Sequence, residues 1–176
     1  MQAKSLGKIT PKNGSITGAT NATPIVITST AHGLATGDYV DVSSVGGNTA
    51  ANGFWPITVV DANSFSLNGS VGNGAYTSGG TFIRVERITT DATIKATSIR
   101  FQVVIGEAGR AFVGLVGMNK TTHAGVLKQL WPTGGGGGVA DMFEIDDSDG
   151  NSLTLADFYV AVNTASEGVI VAYMQR

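Results

Sequence analysis

AHGLATGDYVDVSSVGGNTAANGFWPITVVDANSFSLNG, residues 31–69, running on to AYTSGGTF at residues 75–82, is the stretch that decides the fold. Within it, short runs of β-branched and aromatic residues stand out: Tyr39-Val40-Asp41-Val42, Ile57-Thr58-Val59-Val60 and Ser64-Phe65-Ser66-Leu67. Such runs predict strands, because branched and aromatic side chains fit a pleated, half-buried surface. Phe65 and Leu67 are two residues apart and therefore face the same way, into a core. Between the runs lie Thr36-Gly37-Asp38, Gly46-Gly47-Asn48, Asp61-Ala62-Asn63, Asn68-Gly69 and Asn73-Gly74. These residues supply the positive φ angles that tight connections need. Working outward, Ile25-Val26-Ile27-Thr28 before the stretch and Thr81-Phe82-Ile83-Arg84-Val85 at its end extend the set of strands. Hairpins at this spacing predict a small β-barrel-like module over residues 21–86, preceded by an N-terminal arm over residues 1–20.

The second half repeats the style. Ser98 to Ile105, Ala111 to Met118, Val126 to Trp131, Met142 to Ile145, Phe158 to Val162 and Val169 to Met174 are strand candidates. A connection from Glu86 to Ala96 divides them from the module, so residues 87–176 are expected to form a second antiparallel β-sandwich or barrel region. Leu153 to Phe158 is read as a short helical turn capped by Ser152 or as strand or loop. The fold class is all-β.

Composition bounds the function. Hydrophobic residues make up 42% of the 176 and charged residues 14%, too apolar for disorder and poor in charge for a solitary protein surface. Neutral surface suits contacts with copies of the chain or with partner chains, since little charge must lose its water. A net charge of −2 argues against nucleic acid as a partner, because gripping phosphates needs a basic stripe. The densest basic stretch, Arg84, Arg87, Lys95 and Arg100, is interleaved with Glu86 and Asp91 and reads as the polar side of strands. With no cysteine, disulfides, thiol nucleophiles and zinc–thiolate sites are excluded. Met1 to Thr10 lacks an apolar signal core, and nowhere do about 18 apolar residues run together, so neither a signal peptide nor a membrane partner is expected.

The motifs that invite a chemical reading fail on their details. The pentaglycine Gly134 to Gly138 is followed by Val139-Ala140, without the Lys and Ser or Thr of a phosphate-binding loop. It reads as a flexible loop. Glu144, Asp146, Asp147 and Asp149 end at Gly150, but an EF-hand register would place Ile145 at its first ligand and Ala156 at its closing glutamate. A hairpin turn is the better reading, with weak calcium binding as the alternative. His32 and His123 have no metal-pair spacing and read as turn or surface residues. No G-x-S-x-G elbow presents a serine, and no pair of carboxylates stands out. The expectation is therefore a chain that is not an enzyme, with no catalytic residue, no cofactor-binding residue, no metal ligand and no cofactor.

One resemblance is specific. His32-Gly33 followed by Gly37-Asp38, the strand Tyr39 to Val42, Gly46-Gly47, Asn52-Gly53, the strand Ile57 to Val60, Phe65 before Leu67, and Tyr76 before Gly79-Gly80 form an ordered series. It resembles a β-module described as the first catalytic-cysteine half-domain of ubiquitin-activating enzymes, and similar modules recur in bacteriophage structural proteins. Ubiquitin activation is not implied, since no cysteine is present to form a thioester. What the resemblance implies is a scaffold within a virion, with no active site to carry over.

The closing run Phe158 to Val162 with Gly168 to Met174 reads as a final hairpin, and the chain ends at Arg176, leaving little room for a fibre shaft. The expected function is a non-enzymatic phage virion protein, made in the host cytoplasm and located in the virion, that decorates or cements the capsid. The alternatives are a tail, adaptor or baseplate subunit, and a carbohydrate-binding β-module using Trp55, Trp131, Tyr76 or Tyr159 as stacking platforms. The expected partners are the major capsid protein or other virion proteins, and copies of the chain itself in a homo-oligomer such as a ring or trimer. Met1 to Asn13 is a candidate for ordering on assembly.

Overall fold

The structure, a computed structural model, describes residues 2–103, 111–115, 118, 123–130, 142–147, 153–162 and 169–175. Two compact units divide the chain: Lys12–Val85, and Met1–Pro11 together with Glu86–Arg176. In chain order the first strands are β1 (Gln2–Ile9), β2 (Asn13–Ser15), β3 (Gly18–Ala19), β4 (Ile25–Thr28), β5 (Tyr39–Ser43), β6 (Gly53–Asp61), β7 (Ser64–Leu67) and β8 (Thr81–Arg87). They are followed by β9 (Lys95–Ala96), β10 (Ser98–Val103), β11 (Ala111–Leu115), β12 (Val126–Leu130), β13 (Met142–Asp146), β14 (Leu153–Thr154), β15 (Phe158–Val162) and β16 (Val169–Gln175). Every paired ladder is antiparallel. The described elements other than strands are two three-residue 3₁₀ turns, Thr49–Ala51 and Leu155–Asp157. The all-β expectation therefore holds.

In the Lys12–Val85 unit the strands neighbour one another in the order β8-β5-β6-β7-β4-β3, with β2 also on β8. β6 organises this sheet. Its first residues, Gly53 to Pro56, pair with β5, and from Ile57 onward it pairs with β7. One strand thus serves two hairpins. Alternation puts Ile25, Ile27, Val40, Val42, Ile57, Phe65, Leu67 and Phe82 into a single core. Phe65 meets Phe82 edge to face at 5.4 Å between centroids, an arrangement aromatic quadrupoles favour. Burying an aromatic or branched side chain of this size contributes roughly 1.5–3 kcal/mol, so these positions hold the module together.

Residues 13–19 touch both ends of that sheet, through β2 on β8 and through β3 on β4. Between them Ile16 turns its side chain inward, and its N–H bonds Gly80 while that of Thr17 bonds Thr28. The chain changes partner there rather than continuing one ladder. Among the described residues no sheet closes into a barrel, so the barrel-like expectation holds only for strand content.

In the other unit a four-stranded sheet runs β1-β16-β10-β13, and β11 lies between β12 and β15. Glu86 and Arg87 of β8 pair with Val160 and Tyr159 of β15. All five residues of β15 are buried, the pattern of a strand covered on both faces. Phe101 of β10 packs on Phe143 and Phe158 at 6.3 and 6.0 Å. Residues 1–20, expected as an arm, are shared out: β1 lies on β16, while β2 and β3 belong to the Lys12–Val85 sheet. The Leu155–Asp157 turn follows Thr154 without a side-chain cap, and Ser152 lies outside the described residues.

Candidate functional site

Among the described residues, a dense polar constellation sits in the loops of the Lys12–Val85 unit. Gly46 donates its N–H to the Ser78 carbonyl at 2.8 Å and accepts from the Thr77 N–H at 3.0 Å. Next to it Gly47 has φ +77°, and a Cβ there would lie 2.0 Å from the Ala75 carbonyl oxygen. Only glycine allows that approach. Asn48 is wholly buried. Its amide donates to the Thr20 carbonyl at 2.8 Å, and its Oδ1 accepts the Asn73 N–H at 3.1 Å. Asn73 in turn accepts from the Ala50 N–H at 3.0 Å and donates to Thr49 Oγ1 at 2.9 Å. Asn52 closes its own loop, accepting from the Val45 N–H at 2.8 Å and donating to the Val45 carbonyl at 3.0 Å. Each amide side chain stands in for a backbone partner that these loops lack.

A second knot surrounds His32, which is buried. Its Nδ1 accepts the Leu34 N–H at 3.0 Å, which leaves Nε2 to donate to the Asp61 carbonyl at 2.9 Å. The ring stands edge-on to Phe65 at 5.2 Å. With both nitrogens bound to backbone, His32 pins two loops. The Asp61 carboxyl is exposed and accepts the Asn63 N–H at 2.7 Å. The Ser64 hydroxyl and then that N–H hold it below the ordinary aspartate value. Asp38 accepts the Ala35 N–H at 2.9 Å and pairs with Arg84 at 3.2 Å.

The remaining candidates are dispersed. Glu144 pairs with Arg100 across neighbouring strands at 2.9 Å, and Asp146 stands opposite Ser98. Asp149, Gly150, the pentaglycine and Trp131 lie outside the described residues. Among the described residues no group of three or more His, Asp or Glu could hold a metal ion. His123 takes φ +61° and stacks on Phe112 at 6.1 Å. The Trp55 indole donates to the Ala51 carbonyl at 2.9 Å and packs against the core. The Tyr76 hydroxyl donates toward the Ile16 and Gly79 carbonyls at 3.2 and 3.1 Å. Tyr159 is buried, with the Arg87 guanidinium over its ring at 5.1 Å and Arg87 Nε donating to its hydroxyl at 2.8 Å. The polar group of each of these three rings is engaged within the protein.

Sequence reading placed the turns but missed what Asn48 and Asn73 do, and it missed the Arg87–Tyr159 pair. Asparagine in a glycine-rich loop was the available signal; the distant partners were not.

Within the Lys12–Val85 unit, His32, Asn48, Asn52 and Asn73 thus bind the backbone of its loops. Residues 21–86 match the family model described as the Ubiquitin-activating enzyme E1 FCCH domain, so rather more than a third of the chain is similar to that β-module. Among curated proteins no match was found.

Proposed function

We propose that this chain is a non-enzymatic structural subunit of a bacteriophage virion, decorating or cementing the capsid lattice as a homo-oligomer. The observation that carries the reading is the use of polar side chains. His32, Asn48, Asn52, Asn73 and Asp38 are bound to backbone within the Lys12–Val85 unit, on a chain of which only 14% is charged. Side chains so engaged build a rigid shape and lend little to catalysis, while a weakly charged exterior is inexpensive to desolvate against a neighbour. A cement protein that binds only the assembled lattice shifts the equilibrium away from dissociated shells by mass action, and many copies sum small contacts.

The test is the copy number of this chain per purified particle, by quantitative mass spectrometry against the major capsid protein. A simple ratio to that protein supports decoration. A few to a few tens of copies would move the chain to the tail, adaptor or baseplate, and absence from particles would sink the virion reading. A carbohydrate-binding role gains no support from Trp55, Tyr76 or Tyr159, which are all engaged internally.

A further inference from the structure

The strand β1 is joined to its sheet in an unusual way. Seven of its residues pair with β16, from Gln2 opposite Gln175 to Ile9 opposite Val169. Yet no residue of β1 is buried, and only Leu6 and Ile9 are even half-covered. The backbone ladder therefore carries much of its hold, with the Ser5 hydroxyl donating to the Val171 carbonyl at 3.2 Å. On the other side of that ladder, β16 is the run Val169-Ile170-Val171-Ala172-Tyr173, with Val169, Val171 and Tyr173 buried. Stripped of β1 it would expose an uncharged edge of high β propensity, which demands a strand to cover it.

The covering strand has the same fit whichever copy supplies it. Every β1–β16 pairing lost by opening one chain is regained when the β1 of another chain takes the place, in the same register. Three residues, Thr10–Lys12, connect β1 to β2, and among them Pro11 has a fixed φ. Short hinges are where strand exchange between copies arises. Simple addition of a further strand outside β1 is disfavoured, because the ladder slips between Ser5 and Gly7, and such a bulge twists an edge away from new partners.

We infer that β1 is an exchangeable strand, and that copies of this chain associate in solution with the β1 of one lying against the β16 of another. This rests on the self-association in the proposed function and supplies its contact. Ala3 stands directly opposite Met174, and the chain has no cysteine of its own. In the double variant Ala3→Cys, Met174→Cys, refolded at high concentration and oxidised, exchange yields interchain disulfides and a ladder of linked chains on a non-reducing gel. Ala3→Cys alone should give no such ladder. The pair Lys8→Cys, Ile170→Cys, also directly opposed, repeats the test should the first variant fail to fold. Light scattering on the oxidised protein separates the outcomes. An oligomer whose chains are each looped by an internal disulfide overturns exchange and leaves self-association standing. A looped monomer overturns exchange as well, and particle copy number then decides the virion reading by itself.

Discussion

Replacing Gly47 by alanine should cost far more than the same change at Gly69, although both residues have positive φ, +77° and +83°. An alanine in that region of backbone costs roughly 1–2 kcal/mol at either position. At Gly69 the added methyl meets nothing within 4 Å, whereas at Gly47 it would lie 2.0 Å from the Ala75 carbonyl oxygen. Backbone must retreat there. The retreat pulls on the Gly46 to Ser78 and Thr77 to Gly46 hydrogen bonds, each contributing about 1 kcal/mol. The expected losses are therefore about 3–4 kcal/mol for Gly47→Ala and about 1–2 kcal/mol for Gly69→Ala. Equilibrium urea unfolding would read the difference through Trp55 fluorescence in a Trp131→Phe background, since Trp55 packs on the core of the unit that holds both glycines. Equal losses for the two variants would refute the close approach and, with it, the account of why two glycines stand together at 46–47.

Further expectations follow from the same geometry. Asn48→Ala removes a wholly buried amide and its bonds to the Thr20 carbonyl and the Asn73 N–H, and thermal and urea unfolding should record a loss of about 1–3 kcal/mol. Phe101→Ala, at a fully buried position between Phe143 and Phe158, should cost about 3–5 kcal/mol; Arg100→Ala on the same strand breaks only a solvent-exposed pair with Glu144 and should cost under about 1 kcal/mol. Asp61 and Asp91 have carboxyls held below the ordinary value of 3.8 by the hydroxyls and N–H groups beside them. Their contribution is present above that value and fades as pH falls through the lower folded values. Melting temperature measured across that acid window should fall less steeply in Asp61→Asn than in the parent, and identical slopes would dismiss the Asp61 contribution.

Much of the strand pattern was legible because alternation and turn chemistry are local. Ile25–Thr28 and Ser64–Leu67 coincide with β4 and β7, and Phe158–Val162 with β15. β1 was not legible: Gln2–Ile9 has neither alternation nor β-branched residues until its last position, and its strand character comes from the template of β16. β2 and β3 hide for a related reason, since Asn13-Gly14-Ser15 and Gly18-Ala19 read as turns and become strands only where β8 and β4 supply partners. The glycines at 46–47 were visible as a turn. The burial of Asn48 and its reach to Thr20, 28 residues back along the chain, depend on three-dimensional closure that no local pattern encodes.

The double duty of β6 constrains how this unit can vary in length. Because Gly53–Pro56 set the register on β5 and Ile57–Asp61 the register on β7, inserting or deleting one residue in the middle would move every later side chain to the opposite face. Ile57 would leave the core while an outward neighbour entered it. The slip between Val59 and Asp61 already takes up one extra residue at the far end of the strand. Additions and losses over evolutionary time should accordingly collect at turns such as Gly69, where nothing crowds the backbone, and leave the nine residues of β6 at constant length.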